Sequence, residues 1–122
     1  MDQPNKILLV DDDEVVLKTI TEYLEQNDFN VVAVNNGLDA LKMFEAGNGG
    51  IDLLITDLVM PSISGVAIIS IVKKRYPQVP IIAITGWGEH PETLAKEVEA
   101  DFVLEKPFKL DEINRVIQNL LS

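Results

Sequence analysis

Short apolar runs alternate along this chain with longer segments in which apolar residues recur every three or four positions. The short runs are rich in Ile, Leu and Val and predict strands, and the most continuous of them is typical of a strand buried on both faces. The predicted strands are residues 7–10, 30–34, 51–56, 81–85 and 102–104.

The longer segments have the spacing of helices that turn one apolar face toward a core. They are residues 14–27, 39–46, 65–76, 92–99 and 110–121. In the first helix we expect Val16, Ile20 and Leu24 to face the core. Strand and helix alternate five times, which predicts an α/β fold with a parallel sheet and helices on both of its faces.

Polar residues follow four of the predicted strands. Right-handed crossovers bring the C-terminal ends of parallel strands to one edge of the sheet, where open α/β sheets carry their chemistry. The residues expected to meet there are Asp11, Asp12, Asp13, Asp57, Thr85 and Lys106.

Composition narrows the class of protein. A chain of 122 residues, 47% apolar, predicts one domain over residues 1–122, with residues 1–5 expected to be flexible. The chain has no cysteine, no apolar stretch long enough to span a membrane and no basic, apolar leader at its start, which favours a cytoplasmic setting. The net charge of −10 argues against direct binding of nucleic acid.

The polar edge has the composition of a phosphoryl-transfer site. Several carboxylates in one place need a counter-charge, and a hard cation such as Mg²⁺ prefers oxygen ligands. Lys106 adds a positive charge suited to a phosphate oxygen, and Thr85 adds a hydroxyl. The remaining carboxylate, Asp57, is then the candidate nucleophile.

Five motifs, in order and at these separations, carry a resemblance to a known family. They are Ile7-Leu8-Leu9-Val10-Asp11-Asp12, Asn36-Gly37 with Ala40-Leu41, Asp57 with Met60-Pro61 and Gly65, Thr85-Gly86, and Lys106-Pro107-Phe108. Over nearly its full length the chain resembles the receiver domain of two-component response regulators. The resemblance implies a single flavodoxin-like domain with a five-stranded parallel sheet in the order 2-1-3-4-5.

The resemblance also implies the chemistry of the site. Asp57 would accept a phosphoryl group from the phosphohistidine of a sensor histidine kinase or a histidine phosphotransfer protein. Asp11, Asp12, Asp57 and the backbone carbonyl of Val59 would hold Mg²⁺, with Mn²⁺ as a plausible substitute. Such a domain is a signalling switch rather than a turnover enzyme, and it acts on a downstream protein or a fused output domain, without contacting nucleic acid or a membrane itself.

Two further residues have roles implied by the family. Lys106 would pair with the phosphate, and Thr85 would swing toward it. The bond between Lys106 and Pro107 is typically cis in this family, which would aim the lysine into the site.

The chain departs from the family where the signal leaves the site. The switch aromatic of the family lies three residues before the lysine, a position that Val103 occupies here, whereas Phe102 is one residue earlier. Because adjacent strand residues point to opposite faces, Phe102 cannot replace that aromatic unless the strand slips or bulges. We therefore expect a weaker or differently routed coupling to the output face.

A second departure concerns the lifetime of the phosphorylated state. Val59 and Trp87 occupy the positions two beyond Asp57 and two beyond Thr85, which flank the phosphate in the family. Apolar groups there give a hydrolytic water no hydrogen bond, so we expect a long-lived phosphoaspartate.

Two other functions compete with this interpretation. Residues 11–15 satisfy the signature of haloacid-dehalogenase-type phosphatases, with Asp11 as nucleophile and Asp13 as acid/base, although that reading leaves Asp57 and Met60 without a role. In the receiver interpretation, Asp13 is instead a helix N-cap or a solvated acid. The other alternative is a pseudo-receiver that binds partners without ever being phosphorylated.

Overall fold

A five-stranded parallel sheet organises the computed structural model, which describes residues 4–46, 50–60, 63–86 and 99–122. The strands are β1 (Lys6–Val10), β2 (Asn30–Val34), β3 (Leu53–Asp57), β4 (Ile81–Thr85) and β5 (Phe102–Glu105). Their order is β2-β1-β3-β4-β5, with every neighbouring pair parallel. The predicted fold class and strand order are confirmed.

Four helices in the described part of the chain cover the two faces of this sheet. They are α1 (Glu14–Gln26), α2 (Gly37–Ala46), α3 (Gly65–Arg75) and α4 (Leu110–Leu121). Of the predicted helix at 92–99, all but the last residue lies outside the described residues, as does Trp87. None of the helices in the described ranges has the length and hydropathy that a membrane crossing requires.

Two element boundaries differ from the sequence prediction because side chains fix them. The second helix begins at Gly37, two residues before the predicted start, since Asn36 caps it by accepting the Asp39 N–H at 2.8 Å. The third strand begins at Leu53, two residues after the predicted start. There Asp52 closes a ring with Lys6, its N–H donating to the Lys6 carbonyl and its carboxylate accepting the Lys6 N–H, both at 2.8 Å.

Strand alternation divides the core into two layers. Leu8, Val10, Leu54 and Ala83 face α2 and α3. Their partners there include the following residues: Ala40, Phe44, Ile68, Ile69 and Val72. On the other face, the alternate residues pack against α1 and α4 through the following set: Leu17, Ile20, Leu24, Ile113, Val116 and Ile117.

The predicted core face of α1 is confirmed but incomplete. Ile20 and Leu24 are buried and Val16 is half-buried against the same core, while Leu17, which was not predicted there, is also buried. Spacings of three and four residues both return to one face of a helix, so residues 16, 20, 24 and residues 17, 20, 24 fit the pattern equally well.

Candidate functional site

The candidate site lies where the sheet reverses its direction of growth. The chain runs outward from β1 to β2 and then crosses back to β3, so the C-terminal ends of β1 and β3 are adjacent and border the crevice in which such sheets bind ligands. Asp11 directly follows β1, Asp57 ends β3, Thr85 ends β4 and Lys106 directly follows β5.

Three carboxylates cluster in this crevice. Asp11, Asp12 and Asp57 each offer an oxygen, and the three oxygens lie within 4.8 Å of one another. Asp11 has no exposed surface and Asp57 is 6% exposed, whereas Asp12 is exposed. A set of oxygen ligands that is open on one side suits Mg²⁺, which keeps several of its waters.

Electrostatics support the fit to a cation. Burial raises the pKa of the Asp11 carboxyl, outweighing the Asp13 N–H and the Lys106 charge, which lower it. The charged form of Asp11 is therefore disfavoured in the metal-free fold, and a divalent cation would remove that penalty. The donor set thus fits Mg²⁺ both in ligand type and in charge.

Lys106 follows the edge strand β5 and reaches the same cluster of carboxylates. Its Nζ lies 3.4 Å from Asp11 Oδ2 and 3.5 Å from Asp57 Oδ2, and the bond to Pro107 is cis, as expected from the family. Burial lowers the lysine pKa, but the Asp11 and Asp57 charges more than offset this and raise it above 10.5. The ammonium is charged at neutral pH.

Thr85 contributes a hydroxyl that lacks a partner. The residue is fully buried, and its Oγ1 has no hydrogen-bond partner among the described residues. A buried polar group left unpaired costs about 1–3 kcal/mol. An acceptor oxygen arriving in the crevice would relieve this cost, in keeping with the predicted movement of Thr85.

Asp13 has a different role from its two neighbours. Its carboxylate caps α1, with Oδ1 accepting the Val15 and Val16 N–H groups at 2.9 and 3.3 Å. Its own N–H donates to Asp11 Oδ1 at 2.9 Å and so fixes that carboxylate. The helix N-cap that the receiver interpretation predicts for Asp13 is confirmed.

Gly65 holds the tip of β3 in place. A Cβ on this residue would lie 1.8 Å from the Asp57 carbonyl oxygen, and its N–H donates to the Leu58 carbonyl at 3.0 Å. Its backbone is helical, so glycine is needed here because two backbone segments approach each other closely.

Val103 and Phe102, the residues at and beside the position of the switch aromatic, lie on opposite faces of the sheet. Val103 pairs with Ala83 and packs half-buried on the layer of α2 and α3, while Phe102 pairs with Ile82 and is 42% exposed. The register is regular, so Phe102 does not take the place of Val103. Val59 is 55% exposed beside the crevice, with its N–H 3.4 Å from Asp57 Oδ1.

The fold and site define a doubly wound α/β protein with an acidic, lysine-bearing crevice at its switch point. The family model described as the response regulator receiver domain matches residues 7–118. The chain belongs to this family.

Individual relatives agree with this assignment. The chain is 36% identical to the transcriptional regulatory protein CpxR of Escherichia coli over 118 residues, which are 96% of this chain and 49% of CpxR. It is 33% identical to the autoinducer 1 sensor kinase/phosphatase LuxN of Vibrio harveyi over 98% of this chain and 14% of LuxN. The chain therefore spans about half the length of a regulator relative and a small part of a kinase relative.

One relative has been solved with a metal ion and a beryllium fluoride group bound. The response regulator TrrA of Thermotoga maritima, solved in complex with Mg²⁺ and BeF, superimposes with a TM-score of 0.84 at 30% identity. The match covers 96% of this chain and 99% of that one.

Proposed function

We propose that this receiver domain accepts a phosphoryl group on Asp57 and works as a two-state switch rather than a turnover enzyme. The observation that carries the proposal is the Lys106 ammonium, 3.5 Å from the Asp57 carboxylate and 3.4 Å from that of Asp11. One lysine bridging two buried acids from two other strands supplies the counter-charge that a phosphoaspartate needs.

Asp11, Asp12, Asp57 and the Val59 carbonyl would hold Mg²⁺ during the reaction. When bound, the ion neutralises charge on the phosphoryl oxygens. The oxygen-only cluster, the raised Asp11 pKa and the Mg²⁺–BeF complex of TrrA support Mg²⁺ in particular. Mn²⁺ has no such support and stays a prediction from the sequence.

The transfer itself requires little movement of this chain. A carboxylate oxygen of Asp57 attacks the phosphorus of a phosphohistidine, the new P–O bond forms as the P–N bond breaks, and the electron pair stays on the imidazole nitrogen. Asp57 is 6% exposed, so only its tip is accessible to the donor. Lys106 balances the charge that the incoming oxygens bring.

The phosphodonor would be a sensor histidine kinase or a histidine phosphotransfer protein, and the receiver of the signal a downstream protein or an output domain. Relatives of both kinds support this pairing, because matching segments occur in a transcriptional regulatory protein and in a sensor kinase/phosphatase.

Phosphorylation would shift a pre-existing equilibrium. The Thr85 hydroxyl has no hydrogen-bond partner among the described residues, and a phosphoryl oxygen would supply it with an acceptor. Moving a switch from mostly off to mostly on takes about 5.5 kcal/mol, to which the threonine, lysine and metal contacts would contribute together. Val103 lies on the face of α2 and α3 and Phe102 on the opposite face of the sheet, so a valine holds the position of the family's switch aromatic, and the coupling to the output face would be weaker or differently routed.

The exposed apolar Val59 supports a slow loss of the phosphoryl group. The Val59 side chain offers a nearby water no hydrogen bond that could orient it toward the phosphorus. Val59→Asn should therefore shorten the lifetime of the phosphoaspartate, measured by loss of radiolabel, and an unchanged lifetime would contradict this part of the proposal.

Mass spectrometry of the intact chain tests the central claim. Incubation with acetyl phosphate and Mg²⁺ should add one phosphate, and the gain should vanish in Asp57→Asn and without metal. Asp111→Asn, an exposed acid of α4, is the matched control and should be phosphorylated normally. No mass gain in the wild type would favour the pseudo-receiver, while steady turnover of p-nitrophenyl phosphate lost in Asp11→Asn would favour the phosphatase.

A further inference from the structure

The start of α2 touches the connection between β3 and α3 at a point where no side chain fits. A Cβ on Gly37 would lie 2.8 Å from both Cβ and Cγ2 of Ile63 and 2.9 Å from the Ile63 carbonyl oxygen. Gly37 is buried and Ile63 is half-buried. Real Cβ atoms do not approach neighbours this closely, so α2 or Ile63 would have to move if residue 37 carried one.

The α2 side of this contact is anchored. Asn36 caps the helix, and its amide also donates to Asn35 and Asp39 at 2.8 and 2.9 Å. The Asn35 amide in turn donates to the Glu14 carboxylate at 3.0 Å, where Glu14 is the first residue of α1. This chain of hydrogen bonds ties the start of α2 to the segment that follows the metal-binding acids, and it resists displacement of the helix.

The other side of the contact leads directly to the phosphoacceptor. Ile63 precedes Ser64, whose hydroxyl caps α3 by accepting the Ala67 N–H at 3.3 Å. Gly65 follows, packed on the Asp57 carbonyl and bonded to Leu58. A displacement of Ile63 therefore reaches the backbone of Asp57 within two residues of chain.

We propose that Gly37 is a positioning residue for the phosphoacceptor site, acting through Ile63 and Gly65 on the backbone of Asp57. Its missing side chain sets the spacing between the start of α2, which is tied to the β1–α1 connection that carries Asp11 and Asp12, and the β3–α3 connection. The inference rests on the proposed function, because it concerns how the metal ligands of that site are held at the correct separation.

The effect of Gly37→Ala on Mg²⁺ binding distinguishes a positioning role of Gly37 from an effect on the stability of α2. In an open helix, Gly→Ala raises helix stability. Here Gly37→Ala should instead weaken Mg²⁺ binding about tenfold, which is the usual scale for a residue that orients metal ligands without touching the metal. The rate of phosphorylation by acetyl phosphate should fall with it.

Calorimetric titration with Mg²⁺ alone is the primary measurement, on wild type, Gly37→Ala, Ile63→Ala and the double variant, with Lys42→Ala on the exposed face of α2 as control. Ile63→Ala removes the Cγ2 contact, so the double variant should recover part of the affinity that Gly37→Ala loses. The control should bind like wild type.

Two results would overturn the inference: an affinity of folded Gly37→Ala within twofold of wild type, or a double variant that binds no better than Gly37→Ala. If Gly37→Ala does not fold, the double variant is compared with Ile63→Ala alone. It must then bind more weakly, because the Ile63 Cβ and carbonyl contacts persist, and equal affinities would refute the positioning role. Failure of the wild type to bind Mg²⁺ or take up phosphate would instead refute the proposed function.

Discussion

The two edges of the sheet use the same residue type in opposite ways. At the N-terminal edge, Asp52 and Asp101 each bond to a backbone N–H of a neighbouring strand, at 2.8 Å for Lys6 and 2.7 Å for Ile81. Each also donates its own N–H to that same residue's carbonyl. At the C-terminal edge, the carboxylates of Asp11, Asp12 and Asp57 lie close together, and Lys106 contacts two of them.

The difference follows from what the strand ends offer. The first residue of a strand has a backbone N–H that needs an acceptor, so an aspartate beside it stabilises the fold. Where the strands end, the acids instead lie close to one another, and burial raises the pKa of the Asp11 carboxyl. The aspartates at the N-terminal edge stabilise the sheet. Those at the C-terminal edge repel one another, and a cation, or a phosphoryl group with its counter-ions, would remove this repulsion.

The largest expected effect tests how rigidly the C-terminal edge is built. Gly65→Ala places a Cβ 1.8 Å from the Asp57 carbonyl oxygen, where only backbone movement could make room. Overpacking of this kind costs about 3 kcal/mol or more, and we expect Mg²⁺ binding to be lost with it. Urea unfolding and Mg²⁺ titration measure the two effects. Ser70→Ala on the exposed face of α3 should change neither, and a Gly65→Ala variant with wild-type affinity would show that the strand tip is adaptable.

The next effect tests whether the acid cluster binds Mg²⁺. Mg²⁺ at a hundred times its dissociation constant should raise the free energy of unfolding by about 2.7 kcal/mol in the wild type. Asp11→Asn should be more stable than wild type without metal, because the buried charge is gone, and should gain little from Mg²⁺. A thermal-shift series with and without Mg²⁺ measures both, and a metal-free Asp11→Asn less stable than wild type would mean that the Lys106 pairing outweighs burial.

At the N-terminal edge, removing an aspartate should lower the stability of the metal-free protein instead of raising it. Asp101→Ala removes the acceptor of the buried Ile81 N–H, so it should destabilise the protein by about 1–2 kcal/mol without changing Mg²⁺ affinity. Lys73→Ala breaks only the 3.3 Å ion pair at that aspartate, which is partly solvated and worth at most about 1 kcal/mol. Equal losses in the two variants of a urea titration would assign the effect to the ion pair.

Most of the fold and the identity of the site residues could be predicted from sequence, since strand periodicity and right-handed crossovers already bring the chemistry of Asp11, Asp57 and Lys106 to one edge. What sequence could not reveal are contacts between backbone and side chain across long separations. Three such contacts depend on distances that no local sequence pattern encodes. They are the paired hydrogen bonds between Asp52 and Lys6, the close approach of Gly65 to the Asp57 carbonyl, and the contact of Gly37 with Ile63. Asn36 did carry a signal, because asparagine is among the residues preferred at the position directly before a helix.

The smallest expected effect is the dependence of stability on pH that Asp11 contributes at the C-terminal edge. Because burial raises the Asp11 pKa above its usual 3.8, the folded state binds a proton at a pH where the unfolded state does not. Without metal, this residue's contribution to stability should therefore increase as pH falls through its folded pKa, and the gain should be complete below 3.8. One proton limits the slope to about 1.4 kcal/mol per pH unit. Subtracting the pH profile of Asp11→Asn from that of the wild type isolates this contribution from those of the other carboxylates. A difference that instead falls as pH falls would mean that Lys106 holds Asp11 ionised and outweighs the effect of burial.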